Sequence, residues 1–343
     1  MTKPLVSIIV PVFNAGRFLN KTLESLCGQD YWELEILCID DGSKDDSADI
    51  IKSFEKKDQR VKYIPQANAG PGAARNHGIE LSNGEYIVFQ DADDLLHKQA
   101  LSILVKMAEE YHADVTICGF QSCGEDLSNA KWDVPLDAKP EIFTGDLPLA
   151  FQDSRKFRGH PWGKLYRRDV IGDIRFNDLR SGEDTYFNID IAAHAKCMVV
   201  LPQTLYIYRQ ASASLTHQAS HHEKTIEAGK AIGLHCIDLF QRGEISCQAM
   251  VALIRRYATN AICLHLLLMM DNTAISNTER KTLLAQACDS IVELRQATPF
   301  EANLFSRKYH WVYLTAMKTR SLGMLELACK IRKCLLNFCG KFR

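Results

Sequence analysis

Phe89-Gln90-Asp91-Ala92-Asp93-Asp94 places three carboxylates at the end of an apolar run, Tyr86 to Phe89. Carboxylates this close repel one another unless a cation sits among them. If the run is a strand of an open α/β sheet, its end is where ligands bind, and an Asp-x-Asp pair there can hold Mg²⁺ or Mn²⁺ against a diphosphate. The same residues also read as a polar turn in which Asp94 caps a helix beginning near His97.

The elements that must position these groups are legible around them. Leu5 to Val12 is a buried strand, followed by the turn Phe13-Asn14-Ala15-Gly16 and an amphipathic helix to about Cys27. Leu34 to Ile39 is a second apolar run ending in Asp40-Asp41-Gly42-Ser43, with a helix from about Asp46 to Lys57. Strand-like Val61 to Ile64 precedes the glycine-rich stretch Asn68 to Gly78, and the Tyr86 strand follows. This βαβα alternation with short connections predicts an α/β fold with a mostly parallel sheet and helices on both faces. Paired acids at two strand ends, Asp40-Asp41 and Asp91/Asp93, are expected side by side in the sheet. A carboxylate accepts a hydrogen bond from the N3–H of uracil, and equally from thymine or guanine, so one acidic end suits a base and the other a metal-bound diphosphate.

Six strings in order resemble glycosyltransferase family 2: VSIIVPVFNAGRFL (6–19), IDDGSKDDS (39–47), NAGPGAARNHG (68–78), GEYIVFQDADD (84–94), WGKLYRRDVI (162–171) and GEDTYFN (182–188). The resemblance covers residues 5 to about 215 and implies a GT-A nucleotide-sugar-binding fold. It implies that Pro11, Val12 and Asn14 border the nucleotide, that Asp41 meets the base with Asp40 close by, and that Arg75 approaches the nucleotide. Asp91 and Asp93 would then serve ribose and metal, Asp93 as the direct ligand of Mn²⁺ or Mg²⁺. Structural roles stand beside each of these: Pro11 and Asn14 as turn formers, Arg75 in a surface ion pair. A nicotinamide site is disfavoured, because Arg75 stands where the third glycine of G-x-G-x-x-G would fall and the stretch follows the third strand instead of the first.

Inverting transfer needs a base that takes the proton of the acceptor hydroxyl as it attacks the anomeric carbon, opposite the departing diphosphate. Glu183-Asp184 precedes a helical stretch, Thr185 to Ala195, and suits that task; the plain alternative is Asp184 as an N-cap. In the family the matching aspartate is the base and the preceding glutamate meets the acceptor. Lys164, Arg167 and Arg168 are open to phosphate contact or to a solvated helix start, and Trp162 to sugar stacking or core packing. Tyr206 to Arg209 reads as a final strand, and in the family the loop after it, 210–217, often folds over the diphosphate. The spacing of His217, His221 and His222 suggests zinc only weakly, because no cysteine pair accompanies them and a helix surface explains i, i+4 histidines.

The 343 residues suffice for one α/β core, expected over 1–217, and a helical region, 218–343; a net charge of −1 leaves no nucleic-acid footprint. Twelve cysteines without a C-x-x-C pair suit a reducing, cytoplasmic setting. No apolar stretch is long enough to span a membrane, and no Q-x-x-R-W motif of processive synthases is present. Helical segments are expected near 222–242, 246–270, 277–297, 300–319 and 322–338. Residues 307–343 carry nine Lys/Arg against Glu326 alone, with Met324, Leu327, Ala328, Ile331, Leu335 and Phe338 in one stripe. That pattern suits either peripheral contact with an anionic membrane bearing a lipid-linked acceptor or packing on the catalytic domain. The reading is an inverting, metal-dependent transferase moving a sugar from a nucleotide sugar, foremost a UDP-sugar, to a saccharide or lipid-linked acceptor. The rivals are a non-catalytic nucleotide-sugar-binding or scaffold protein and a nucleotidyltransferase.

Overall fold

The computed structural model describes residues 3–135, 139–151, 157, 159–179, 181–210, 221–272, 275–299 and six isolated positions beyond. They fall into two compact units, one within 1–178 and 183–214, the other within 179–182 and 215–343.

The first unit alternates β1 (Val6–Val12), α1 (Gly16–Cys27), β2 (Leu34–Asp40), α2 (Ser47–Glu55), β3 (Val61–Pro65), α3 (Pro71–Leu81) and β4 (Tyr86–Phe89). It continues with β5 (Leu95–Leu96), α4 (Ala100–Tyr111), β6 (Val115–Gly124), β7 (Glu141–Thr144), α5 (Leu147–Ala150), β8 (Lys164–Arg167), α6 (Arg168–Ile171), α7 (Glu183–His194) and β9 (Cys197–Gln210). One sheet runs in the order β3-β2-β1-β4-β8-β6-β9-β5, with β7 also paired to β9. The four N-terminal strands are parallel, as their alternation with helices requires. Beyond β4 the sheet is mixed: β8 runs antiparallel to both β4 and β6, whereas β6 and β9 pair in parallel. The mostly parallel sheet expected from sequence is thus confined to β1 to β4, where helical crossovers force one direction.

Side chains on β1 alternate between two helical layers. Ile8 and Val10 join the cluster of Leu19, Leu23, Ile51, Leu101 and Leu104 from α1, α2 and α4. Ile9 faces α3, so closely that a methyl on Gly78 would lie 2.3 Å from its side chain. Phe89 meets Phe176 and Phe187 edge-on, at 5.2 and 5.7 Å between ring centroids. That aromatic cluster seats α7 against β4, with each edge-to-face pair adding about 1 kcal/mol to the area it buries.

The second unit contains α8 (His221–Gln241), α9 (Cys247–Leu253), a π-helical turn (Ile254–Thr259), α10 (Asn260–Asp271) and α11 (Asn277–Ala297). Ser276 opens α11 with a capping box to Glu279. The segment expected as one helix over 246–270 is helical throughout but widened by the π turn. The basic stripe of 307–343 and the helices expected at 300–319 and 322–338 lie outside the described residues, isolated positions apart. No described helix is long and apolar enough to cross a membrane.

Candidate active site

Parallel register fixes where the candidate residues meet. Val12 is opposite Asp40 on β2, and Ile9 is opposite Phe89 on β4, so the acidic strand ends flank the end of β1. They are therefore not side by side, as the sequence suggested: β1 lies between them. The chain winds from β1 through β2 to β3 in one direction and returns through α3 to β4 on the other side of β1. The carboxyl ends of β1 and β4 thus form the crevice where strand order reverses, the usual ligand site of such sheets. Backbone alternation points the nitrogen of Pro11 toward the β4 side, past the last residue β4 pairs, so its missing N–H breaks no ladder there.

Asn14 sits in the left-handed region, φ 49°. Its N–H donates to Ser43 Oγ at 3.0 Å, and its Oδ1 accepts from the Lys44 N–H at 2.8 Å. Asn14 therefore binds the turn after β1 to the loop after β2. Asp40 Oδ1 accepts from the Ser43 N–H (3.0 Å) and Oδ2 from the Tyr63 hydroxyl (3.1 Å). Asp41 is held harder: Oδ1 accepts from Gln66 Nε2 and the Ala69 N–H, and Oδ2 from the Gly70 N–H, each at 2.8 Å. Asp40, Asp41 and Val12 are all buried, whereas Phe13 is 52% exposed at the same strand end. That exposed residue went unremarked in the sequence; a phenylalanine just past an apolar strand, inside a turn, was the available signal.

At the end of β4, Asp94 is completely buried and accepts from the Tyr206 hydroxyl and the Arg209 N–H, both at 2.7 Å. Burial, then Asp91 and Asp93, pushes its carboxyl well above the usual range. It does not cap a helix, because β5 intervenes and α4 begins only at Ala100. Arg209 Nε donates to the Asp93 carbonyl at 2.7 Å, so the end of β9 clamps the acidic turn at two points. Asp93 is pushed up to about 6 by burial and by the charge of Asp91, with Arg209 pulling the other way. Removing the clamp hydroxyl in Tyr206→Phe leaves Asp94 buried with one donor fewer. The expected cost is about 1–3 kcal/mol in urea unfolding; an unchanged midpoint would show that the Tyr206 hydroxyl contributes nothing to stability.

On the opposite lip, Arg75 of α3 is 4% exposed. Its Nη1 donates to Asp184 Oδ1 at 2.7 Å and its Nη2 to Asp91 Oδ1 at 3.2 Å, with Glu183 Oε1 at 3.6 Å from Nη1. Burial works against the guanidinium charge, but Asp184, Asp91 and Glu183 outweigh it and raise its pKa. Arg75 was expected beside a nucleotide or in a surface pair; here a buried guanidinium bonds two half-buried carboxylates, one through each Nη. α7 begins at Glu183, so Glu183 and Asp184 occupy its first turn and Asp184 is not the N-cap. Burial pushes the Asp184 carboxyl up to about 7, helped by Glu183 and Asp91 and opposed by Arg75 and Lys164. Asn188, one turn on, donates to the Asp184 and Gly159 carbonyls at 2.9 Å and accepts from Tyr166. Asn76, Phe176 and Asn188, which brace this lip, were not singled out from sequence.

Other candidates serve the fold. Trp162 is 6% exposed and stacks on His160 and Tyr206, so it fills the core. Lys164 is buried in β8 and donates to the His160 carbonyl. Arg168 binds the Gly84 carbonyl and Ser82 Oγ, and Arg167 lies over the Tyr86 ring and near Glu85, which leaves neither a solvated helix start. His217 and the loop 210–217, Gln210 apart, fall outside the described residues, and His222 meets His265.

Asp91 and Asp93 are hard oxygen donors, crowded enough to raise Asp93, at a crevice mouth. They fit Mg²⁺ or Mn²⁺ with its remaining positions left to phosphate oxygens and water. No group of three or more His, Cys, Asp or Glu suited to a metal occurs among the described residues, and the donors they offer in this crevice are this carboxylate pair.

Comparison with known proteins bears on this arrangement. The profile of glycosyl transferase family 2 matches residues 7–175. The GalNAc(5)-diNAcBac-PP-undecaprenol beta-1,3-glucosyltransferase of Campylobacter jejuni is 31% identical over 216 residues, 62% of this chain and 68% of that protein. The chain belongs to glycosyltransferase family 2. GlyA of Streptococcus pneumoniae is 33% identical to this family 2 chain over 217 residues, 62% of the chain, and EpsJ of Bacillus subtilis 36% over 223, again 62%. The matches span 31% of GlyA and 63% of EpsJ. The crystal structure of Staphylococcus aureus TarS 1–349 in complex with UDP-GlcNAc superposes with a TM-score of 0.73, covering 96% of this chain and 91% of that one at 21% identity. The likeness is one of fold, and that fold is GT-A.

Proposed function

We propose that this family 2 chain is an inverting glycosyltransferase that moves a sugar from a UDP-sugar to a saccharide or lipid-linked acceptor. The observation that carries the reading is the convergence of Asp184 and Asp91 on the buried guanidinium of Arg75, which brings a base and a strand-end acid to one crevice. UDP-GlcNAc in TarS and the lipid-linked substrate in the Campylobacter protein's name support the choice of donor and acceptor classes.

In this reading Pro11, Val12, Asn14, Asp40 and Asp41 border the nucleotide, and the exposed face of Phe13 stacks on the base. Asp91 and Asp93 hold Mn²⁺ or Mg²⁺, which when bound neutralises charge developing on the diphosphate. Glu183 orients the acceptor hydroxyl, and Asp184 takes its proton as the oxygen bonds to the anomeric carbon. The carbon–oxygen bond to the diphosphate breaks in the same displacement, inverting the centre. Catalysis resides in 1–217, and the helices of 218–343 serve the acceptor or its membrane from the cytoplasmic face.

The test is calorimetric titration of UDP, GDP and dTDP with and without Mn²⁺, followed by assay of UDP release from UDP-sugars. Metal-dependent binding of UDP alone is the expected result. No binding of any nucleotide by folded protein would overturn the donor assignment, and binding without transfer to any acceptor would favour the scaffold alternative.

A further inference from the structure

Resting on that reading, we propose that Arg75 is a positioning residue for the transfer step: its guanidinium fork locks Asp184 to Asp91 and sets the base's orientation, instead of contacting the nucleotide. The two Nη groups diverge to two carboxylates that are 109 and 16 residues away in sequence. The planar fork makes both bonds at once, which the single point charge of a lysine cannot do with the same geometry.

The neighbouring residues build a seat for this fork. The guanidinium carbon lies 5.2 Å from the centroid of the Phe176 ring. The next residue on α3, Asn76, brackets the backbone of Phe176, accepting from its N–H at 2.9 Å and donating to its carbonyl at 2.7 Å. Phe176 in turn stacks on Phe187 of α7, with centroids 4.1 Å apart and planes 5° apart. Phe187 is one helical turn beyond Asp184. Consecutive residues of α3 thus hold the first turn of α7 twice, once by charge and once through two stacked rings. Nε is buried without a partner, so a nucleotide contact by Arg75 would have to come through the second N–H of an Nη group already bonded to Asp184 or Asp91.

The experiment uses the full chain with Arg75→Lys and Phe176→Leu, reading UDP affinity in Mn²⁺, kcat and donor KM, and amide exchange over 183–188. Arg75→Lys is expected to lower kcat about a hundredfold, the cost of a base misplaced by about an ångström. UDP affinity and donor KM should stay within about threefold of the parent, well under the tenfold that 1.4 kcal/mol represents. Phe176→Leu keeps every charge and should lower kcat about tenfold with the same split, one factor of ten for each 1.36 kcal/mol of barrier. Faster exchange over 183–188 is expected in both. Loss of UDP affinity in step with kcat/KM, at unchanged kcat, would make Arg75 a nucleotide ligand and overturn the proposal. If Arg75→Lys does not fold, Phe176→Leu decides: parental kcat there overturns the lock. Should the parent bind no nucleotide, the donor assignment fails, and the lock still stands or falls on whether exchange over 183–188 changes.

Discussion

Asp184→Asn is expected to lower sugar transfer by about 10²- to 10⁴-fold, the usual contribution of a positioned general base, while UDP affinity in Mn²⁺ is unchanged. Asparagine keeps the shape of the side chain and the acceptor oxygen facing Arg75, but it cannot take a proton. Arg75 retains Asp91 and Glu183 as partners, so the lip stays assembled. The parent also carries a pH signature. Because burial pushes Asp184 up to about 7, the base is protonated and idle below that pH. Transfer should rise about tenfold per pH unit below 7 and level off above it, whereas the residual rate of Asp184→Asn should lack that limb. Parental transfer by the variant, or a flat profile in the parent, would remove Asp184 from the role of base.

Asp93→Ala is expected to abolish the cation dependence of nucleotide binding. Loss even of outer groups around a metal costs 10- to 100-fold, so loss of a direct ligand should weaken UDP binding in Mn²⁺ by about a hundredfold or more. Without metal, parent and variant should bind UDP alike. The direction with pH follows from the raised Asp93 carboxyl: a cation must displace its proton below about 6, so affinity falls as pH drops through that value and is steady above it. Calorimetry between pH 5 and 8 checks both points. Cation-dependent binding that survives in Asp93→Ala would move the metal away from this turn.

Much of the crevice was legible because its information is local. Buried runs of fixed length, short connections and acids at strand ends define β1 to β4 and place Asp40, Asp41, Asp91 and Asp93 on one edge. Strand order is not local, so the position of β1 between the two acidic ends could not be read from spacing. The partnership of Arg75 with Asp184 spans 109 residues and two helices, and no periodicity records it. Trp162 shows the same limit: whether a tryptophan meets a sugar or the core depends on Tyr206, which pairing across the mixed half of the sheet brings beneath it. Asp94 also read as a helix cap because it closes an acidic turn shortly before a helical stretch, yet its partners come from the far end of β9.

The knot that Asn14 ties between two loops has a thermodynamic corollary. With its amide and side chain already engaged by Ser43 and Lys44, and Asp41 holding Ala69 and Gly70, this part of the rim is held before any ligand arrives. The loss of chain freedom is charged to folding, so an incoming nucleotide meets a surface with little left to freeze. These two loops should therefore add nothing to the binding heat capacity beyond the apolar area the ligand covers on them.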